Sequence, residues 1–138
     1  MARLGVGSNQ YRTRAGAPDV QAPAPDLMAQ VAAMSTVERR VTAENPNTPV
    51  DILVQLAGDE DEWVRQRVAW NPRTPPQVLA QVVGDEDVDV RQLVAENPNT
   101  PADTLVQLVG DEDWHVREAA LENPHLPEEY RVLERVAQ

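Results

Sequence analysis

Polar and apolar positions recur along this chain with a period of 26 residues. The clearest marker is the dipeptide Asn-Pro, which occurs at 45–46, 71–72, 97–98 and 123–124. The glycines at positions 58, 84 and 110 repeat at the same interval. A fixed period of about 20 to 50 residues is typical of solenoids, propellers and other repeat arrays. The pattern therefore predicts a chain built from copies of one small structural unit.

Each period contains two short segments with helical spacing. In the first segment the apolar residues Ile52, Leu53 and Leu56 fall on one face of a helix. This helix is predicted to open at a Thr-Pro pair, with Thr as the N-cap and Pro as the first helical residue. A reciprocal cap is expected from the third position and a left-handed glycine at the end. The capping candidates are Asp51, Gln77 and Asp103, and the glycines are Gly58, Gly84 and Gly110.

The second segment is predicted to begin at an acidic or hydroxyl N-cap and to end at the Asn before each Pro. A residue that precedes proline is pushed out of the helical region, which sets the end. The segments are short enough for one of the two helices to be partly 3₁₀. The predicted N-caps are Ser35, Asp61, Asp87 and Asp113.

Neither helix can bury its apolar face alone, so the copies are expected to stack edge to edge around a continuous core. This predicts an all-α solenoid without strands. Residues 25–44 form a degenerate first copy, followed by copies at 45–70, 71–96 and 97–122 and a C-terminal capping helix at 123–138. Residues 1–24 are rich in Gly, Ala and Pro and are predicted to be a separate flexible arm.

Two stretches, VRQRVAWNPRTPPQVLAQVVGDED at 64–87 and VRQLVAENPNTPADTLVQLVGDED at 90–113, carry a family resemblance. They resemble the variant leucine-rich repeat, a bacterial relative of HEAT and armadillo helical repeats, and the likeness extends over residues 25–138. The resemblance implies α and 3₁₀ helices in a right-handed superhelix. Some members of that family hold an iron–sulfur cluster through clustered cysteines. This chain has no cysteine, so that cofactor is not expected.

Arg and Asn each recur at one position of the copies, and we call each of these two series a ladder. The Arg ladder is expected to pair with the acid four residues earlier, as Asp61 would with Arg65. Its alternative role is to line a groove for an acidic partner or phosphates. The Asn ladder is expected to bond backbone groups in the turns between stacked copies. The Arg ladder is Arg39, Arg65, Arg91 and Arg117, and the Asn ladder is Asn45, Asn71, Asn97 and Asn123.

One acidic stretch matches part of a calcium-binding loop, at Asp85, Asp87, Asp89 and Glu96. The sharp turn of such a loop needs glycine at its sixth position, where this chain has Val90. The acids are better explained as helix caps, so no metal and no cofactor are expected. His115 and His125 have no partners at the spacing of a catalytic triad, and we do not expect an enzyme.

The positions where the copies differ are the candidates for binding, since function must be added to a structural template. Trp70 stands where the other copies have Glu. Trp and Arg are the residues most enriched at binding hot spots. The alternative is that each Trp only packs over a neighbouring copy. The candidate contact residues in the repeats are Trp63, Trp70, Arg73, Trp114 and His115.

Charge separates the arm from the repeats. The net charge is -11, yet residues 1–25 carry three Arg against one acid, whereas residues 26–138 carry nine Arg against 22 acids. An acidic body repels phosphates, so only the arm is suited to nucleic acid. The leading hypothesis is a scaffold that binds a protein, with the arm as a second docking element. The alternative is a nucleoprotein or phage component that contacts nucleic acid through Arg3, Tyr11, Arg12 and Arg14.

Location is predicted from what the chain lacks. No apolar run is long enough to span a membrane or to serve as a signal peptide. The expectation is a cytoplasmic protein, or one assembled into a large particle. All 12 basic residues are Arg, a bias that favours a GC-rich bacterial or phage genome.

Overall fold

The computed structural model describes residues 25–131. Within this range eight complete α-helices follow one another without a strand, and a further helix begins at residue 128. The predicted all-α fold is confirmed, while the handedness of the superhelix stays a prediction. The helices are α1 Pro25–Ala33, α2 Thr36–Glu44, α3 Val50–Leu56, α4 Glu62–Trp70, α5 Pro76–Gln81, α6 Val88–Glu96, α7 Ala102–Val109 and α8 Trp114–Glu122.

The second helices of the copies, α2, α4, α6 and α8, begin and end where the sequence predicts. The carboxylate of Asp61 accepts hydrogen bonds from the backbone N–H groups of Trp63 and Val64. Asp87 and Asp113 cap their helices in the same way. In the first copy Ser35 and Glu38 form a reciprocal capping box. Each of these helices has the Asn of an Asn-Pro pair as its C-cap.

The starts of the first helices differ from the prediction. In α3, α5 and α7 the N-cap is a proline, and no side chain caps the helix. The predicted capping boxes at Asp51, Gln77 and Asp103 are wrong because a proline N-cap has no N–H to donate the reciprocal bond. The threonines bond the preceding helix instead, as Thr74 Oγ1 donates to the carbonyl of Val68 at 2.7 Å. The carbonyl of Val68 also accepts the N–H of Asn71, so the threonine adds a second hydrogen bond to a carbonyl at the helix end.

The ends of the first helices also differ, since no glycine among the described residues has a positive φ. Gly110 has φ -96° and ψ 15°, and its N–H bonds the carbonyl of Gln107 at 3.2 Å. The helix leaves through a turn of the ordinary hand, so the predicted left-handed glycines are wrong. Tight i→i+3 bonds of this kind, also present at Val78 N–H to Pro75 O, are the only 3₁₀ character in residues 25–131.

The core lies between the two layers of helices and runs through the copies without a break. Each second helix contacts the next, in the order α2, α4, α6, α8, and the first helices cover one side of this stack. The first copy departs from the pattern on α2. Glu38 and Thr42 occupy the positions of the fully buried Val64 and Val68 in the next copy. Among the described residues Glu38 is exposed and Thr42 is half-buried, so polar side chains are tolerated at both positions.

The buried apolar residues belong mainly to the complete copies. Burying them is the main source of stability in such an array. None of the helices within residues 25–131 is long and apolar enough to cross a membrane. The largest fully buried side chains are Leu53, Leu56, Leu79, Leu105, Leu108, Leu126, Val64, Val68, Val78, Val90, Val94 and Val116.

Candidate functional site

The Asn ladder joins the C-terminal ends of neighbouring second helices. Asn97 Nδ2 donates to the carbonyls of Ala69 at 2.8 Å and Asn71 at 3.1 Å, both in the preceding copy. Its Oδ1 accepts the backbone N–H of Asn99 at 2.8 Å. Asn71 and Asn123 make the same set of bonds. The side chain of Asn45 makes only one bond among the described residues, from the N–H of Asn47 to its Oδ1, and Asn45 is exposed.

The Arg ladder joins the opposite ends of the same helices. Arg91 donates twice to the carboxylate of Asp111, at 2.8 and 3.2 Å, and once to the carbonyl of Asp85 at 2.8 Å. The two side chains are only 12% and 9% exposed. Arg39 with Asp59 and Arg65 with Asp85 repeat this arrangement. Because both ends of each second helix meet the matching end of its neighbour, these helices stack in parallel and in register.

This geometry corrects the predicted Arg pairing. Arg65 does not pair with Asp61, four residues earlier, but with Asp85 in the following copy. Asp61 caps α4 and forms its ion pair with Arg40 of the preceding copy at 3.0 Å. The Arg side chain therefore reaches along the stack and not along its own helix. Arg117 bonds only the carbonyls of Asp111 and Glu112, with no carboxylate partner in the described range.

Electrostatics supports the pairing between copies. Burial alone raises the pKa of Asp111, but the hydrogen bonds from Arg91 and from the backbone of Asp113 outweigh it and hold the pKa below its usual value. The hydrogen bond to Asp85 raises the pKa of Arg65. Asp111 is thus occupied as the ionised partner of Arg91. No group of three or more His, Asp or Glu side chains in residues 25–131 is arranged to hold a metal.

The solvent side of the second helices presents four equivalent positions in each copy, which together we call the outer face. Because the helices are in register, these positions form four rows across the stack. Most of the residues are exposed. They are Val37, Arg40, Val41 and Glu44 on α2; Trp63, Gln66, Arg67 and Trp70 on α4; Asp89, Gln92, Leu93 and Glu96 on α6; and His115, Glu118, Ala119 and Glu122 on α8.

An apolar patch covers the α2 and α4 part of the outer face. It consists of Val37, Val41, Trp63 and Trp70, which are 65%, 55%, 48% and 53% exposed. The two tryptophans lie seven residues apart on α4, nearly two turns, and so point to the same side. The guanidinium of Arg40 lies 5.8 Å from the ring centre of Trp63, close enough for a cation–π contact.

Trp70 forms a ridge between two grooves. The groove toward α2 has a volume of about 550 Å³, and the groove toward α6 about 200 Å³. Arg67 and Glu44, which both line the larger groove, form an ion pair at 2.9 Å. The larger groove is lined by Val41, Glu44, Asn45, Pro46, Arg67 and Trp70, and the smaller by Trp70, Leu93, Glu96, Asn97 and Pro98.

The structure brings only some of the candidate binding residues together. Trp63 and Trp70 share the apolar patch, whereas Trp114 and His115 lie on α8, two helices away. The rings of Trp114 and His115 meet edge to face with centres 4.9 Å apart. Arg73 is exposed in the loop after α4, where its N–H bonds Asn71. The arm candidates Arg3, Tyr11, Arg12 and Arg14 lie outside the described residues, so the arm's docking roles stay predictions.

Val37 and Val41 are patch residues that sequence reasoning did not single out. A valine on a helix is read first as a core residue, and only its position in the repeat indicates otherwise. Val37 is equivalent to Trp63 and Val41 to Arg67, 26 residues later, and both of those are exposed. Aligning the copies by period could therefore have found them.

Comparison with known families matches residues 88–113 to the model described as leucine rich repeat variant. Residues 88–113 therefore match one copy of the leucine rich repeat variant. Neither the curated proteins nor the solved structures yielded a match to this chain. The matched unit spans α6 and α7 and ends at the cap Asp113. It holds one position of each ladder, Asn97 and Arg91, and so includes residues that bind one copy to its neighbour.

Proposed function

We propose that this leucine rich repeat variant protein is a non-enzymatic scaffold that binds a protein partner through the apolar patch. The observation that carries the proposal is the exposure of Val37, Val41, Trp63 and Trp70, each about half or more, on two adjacent helices. Clustered apolar side chains of this size on a surface mark interaction sites, because leaving them in water is unfavourable. Two of the four are tryptophans, which are over-represented among binding hot spots.

The setting of the patch favours tight binding. A helix held at both ends by the ladders has little freedom left to lose, so presenting Trp63 and Trp70 costs little conformational entropy. An indole combines a large apolar surface with one N–H donor, which suits a ridge that enters a partner's pocket. The two grooves beside Trp70 can accept partner side chains in return.

A photo-crosslinking residue placed at position 70 tests the proposal in the native host. The control places the same residue at Val50, which is 51% exposed and so as accessible as Trp70, but lies on a first helix. We expect a discrete protein adduct from position 70 and none from position 50. The same adduct from both positions would contradict the proposed surface.

The crosslinked partner then allows a binding measurement with purified proteins. Trp70→Ala should weaken binding by about 30-fold, the loss expected on truncating a hot-spot residue worth about 2 kcal/mol. Its free energy of unfolding should change by less than about 1 kcal/mol because the side chain is half exposed. Val50→Ala is the matched control and should leave binding unchanged. Wild-type affinity in the folded Trp70→Ala variant would overturn the proposal.

A further inference from the structure

The outer face changes character along the stack. Its α2 and α4 part carries the apolar patch with two arginines, Arg40 and Arg67. Its α6 and α8 part carries four exposed carboxylates and no arginine in the equivalent rows. These carboxylates belong to Asp89, Glu96, Glu118 and Glu122.

The charges of the two parts are compensated differently. Arg40 pairs with Asp61 at 3.0 Å and Arg67 with Glu44 at 2.9 Å, so the cations beside the patch are already neutralised. No ion pair within residues 25–131 compensates the four acids on α6 and α8. Glu96 accepts one hydrogen bond, from the neutral Gln92 at 3.1 Å. The outer face is therefore apolar at one end and carries uncompensated negative charge at the other.

We infer that the partner of the proposed function presents a segment with apolar residues at one end and arginine or lysine at the other. This inference rests on that proposed function. The apolar end lies against Trp70 and its grooves, and the basic end lies beside Glu96 and Glu122. Complementary charge of this kind fixes the orientation of a bound segment and speeds its association.

The dimensions of the stack set the spacing within the segment. Packed helices lie about 8 to 10 Å apart, so α8 lies about 16 to 20 Å from α4. An extended chain covers about 3.3 Å per residue. The apolar and basic groups of the segment should therefore be separated by about five residues.

A set of synthetic peptides, tested for binding to the full-length chain, tests this inference. The probe carries two Leu, a five-residue Gly-Ser linker and three Arg. A second peptide has a one-residue linker, and a third replaces Arg by Glu. Binding is measured by fluorescence anisotropy, and contact with the patch by the NMR signal of the Trp70 indole N–H. We expect the first peptide to bind at least about tenfold more tightly than the other two, a difference of about 1.4 kcal/mol.

Matched charge variants separate local from overall electrostatics. The double variant Glu96→Gln with Glu122→Gln should weaken the first peptide by about tenfold. The control Asp51→Asn with Asp103→Asn removes the same charge from exposed residues of the first helices and should change affinity less than about twofold. If both double variants lost the same affinity for the peptide, the effect would come from net charge alone, and the inference would be overturned.

The remaining outcomes distinguish this inference from the function on which it rests. Peptide binding that needs Trp70 but ignores Glu96 and Glu122 would overturn the basic end and leave the apolar patch as a binding surface. No shift of the Trp70 signal with any peptide would overturn the inference, even if the crosslinked partner still requires Trp70. A crosslinked partner that binds Trp70→Ala normally would remove the proposed function itself.

Discussion

The ladders at the ends of the second helices and the outer face between them use the same repeat in opposite ways. The rungs that bond across the boundary between copies repeat the same geometry and are largely buried; they are Asn71, Asn97 and Asn123 and Arg39, Arg65 and Arg91. The outer face differs from copy to copy and is largely exposed. This contrast shows that the repeat constrains the positions that set helix stacking and leaves one face free to acquire a binding surface. Changes in the ladders should therefore alter stability, and changes in the outer face should alter binding.

The largest effect is expected in the Asn ladder, from Asn97→Ala. The substitution removes two buried hydrogen bonds, to the carbonyls of Ala69 and Asn71, and the bond from the N–H of Asn99. Unsatisfied buried groups are costly, and we expect a loss of about 3 kcal/mol in the free energy of unfolding, measured by urea denaturation. Asn45→Ala is the control, since its Nδ2 makes no bond within the described residues. Equal losses at both positions would contradict a role for the bonds between copies.

A smaller loss is expected from Arg91→Met. This variant keeps a long apolar side chain but removes the two hydrogen bonds to the carboxylate of Asp111 and the hydrogen bond to the carbonyl of Asp85. Because hydrogen bonds to charged groups contribute more than neutral ones, we expect a loss of about 2 kcal/mol in the free energy of unfolding. Arg117→Met provides the comparison, because Arg117 bonds carbonyls but no described carboxylate. If thermal unfolding shows the same loss for both, the carboxylate contributes nothing.

The Arg ladder should also make the free energy of unfolding depend on pH. The change should be smaller than the loss expected from Arg91→Met. The pKa of Asp111 is held below its usual value in the folded chain. Its contribution is therefore complete above the unfolded pKa of about 3.9 and is lost as the pH falls through the lower folded value. We expect the difference in melting temperature between wild type and Asp111→Asn to be largest near neutral pH and to shrink below about pH 4. A difference that grows on acidification would reverse the assigned sign.

The part of the fold that sequence could predict is the part fixed by local chemistry. An N-cap such as Asp61 bonds residues two and three positions later, and a proline ends the helix before it, so both can be found within a few letters. The partner of Arg65 could not be found this way. Asp85 is 20 residues away and becomes a neighbour only once the copies stack, whereas the nearer Asp61 is already occupied as a cap.

The candidate site shows the same division. Comparing copies drew attention to Trp63 and Trp70 because an aromatic residue among polar equivalents stands out. The same comparison gave Trp114 equal weight, although the stack places it on α8, two helices from the patch. Which unusual residues share a surface depends on the order of the helices in space. That order is a property of the whole array and not of any one copy.

The smallest effect is expected at the glycines, which test whether a recurring residue always has a structural role. Glycine recurs in each complete copy, as the ladder residues do, but no contact explains it. Gly84 has a φ outside the left-handed region, and a Cβ built there meets no atom within 4 Å. Gly84→Ala should therefore be neutral or raise the free energy of unfolding by about 0.5 kcal/mol, since alanine restricts the unfolded chain. Gly110→Ala is the companion, with the nearest atom, the carbonyl oxygen of Gln107, at an ordinary 3.7 Å. A loss above about 1 kcal/mol in both variants would show that recurrence marks a structural need these contacts do not reveal.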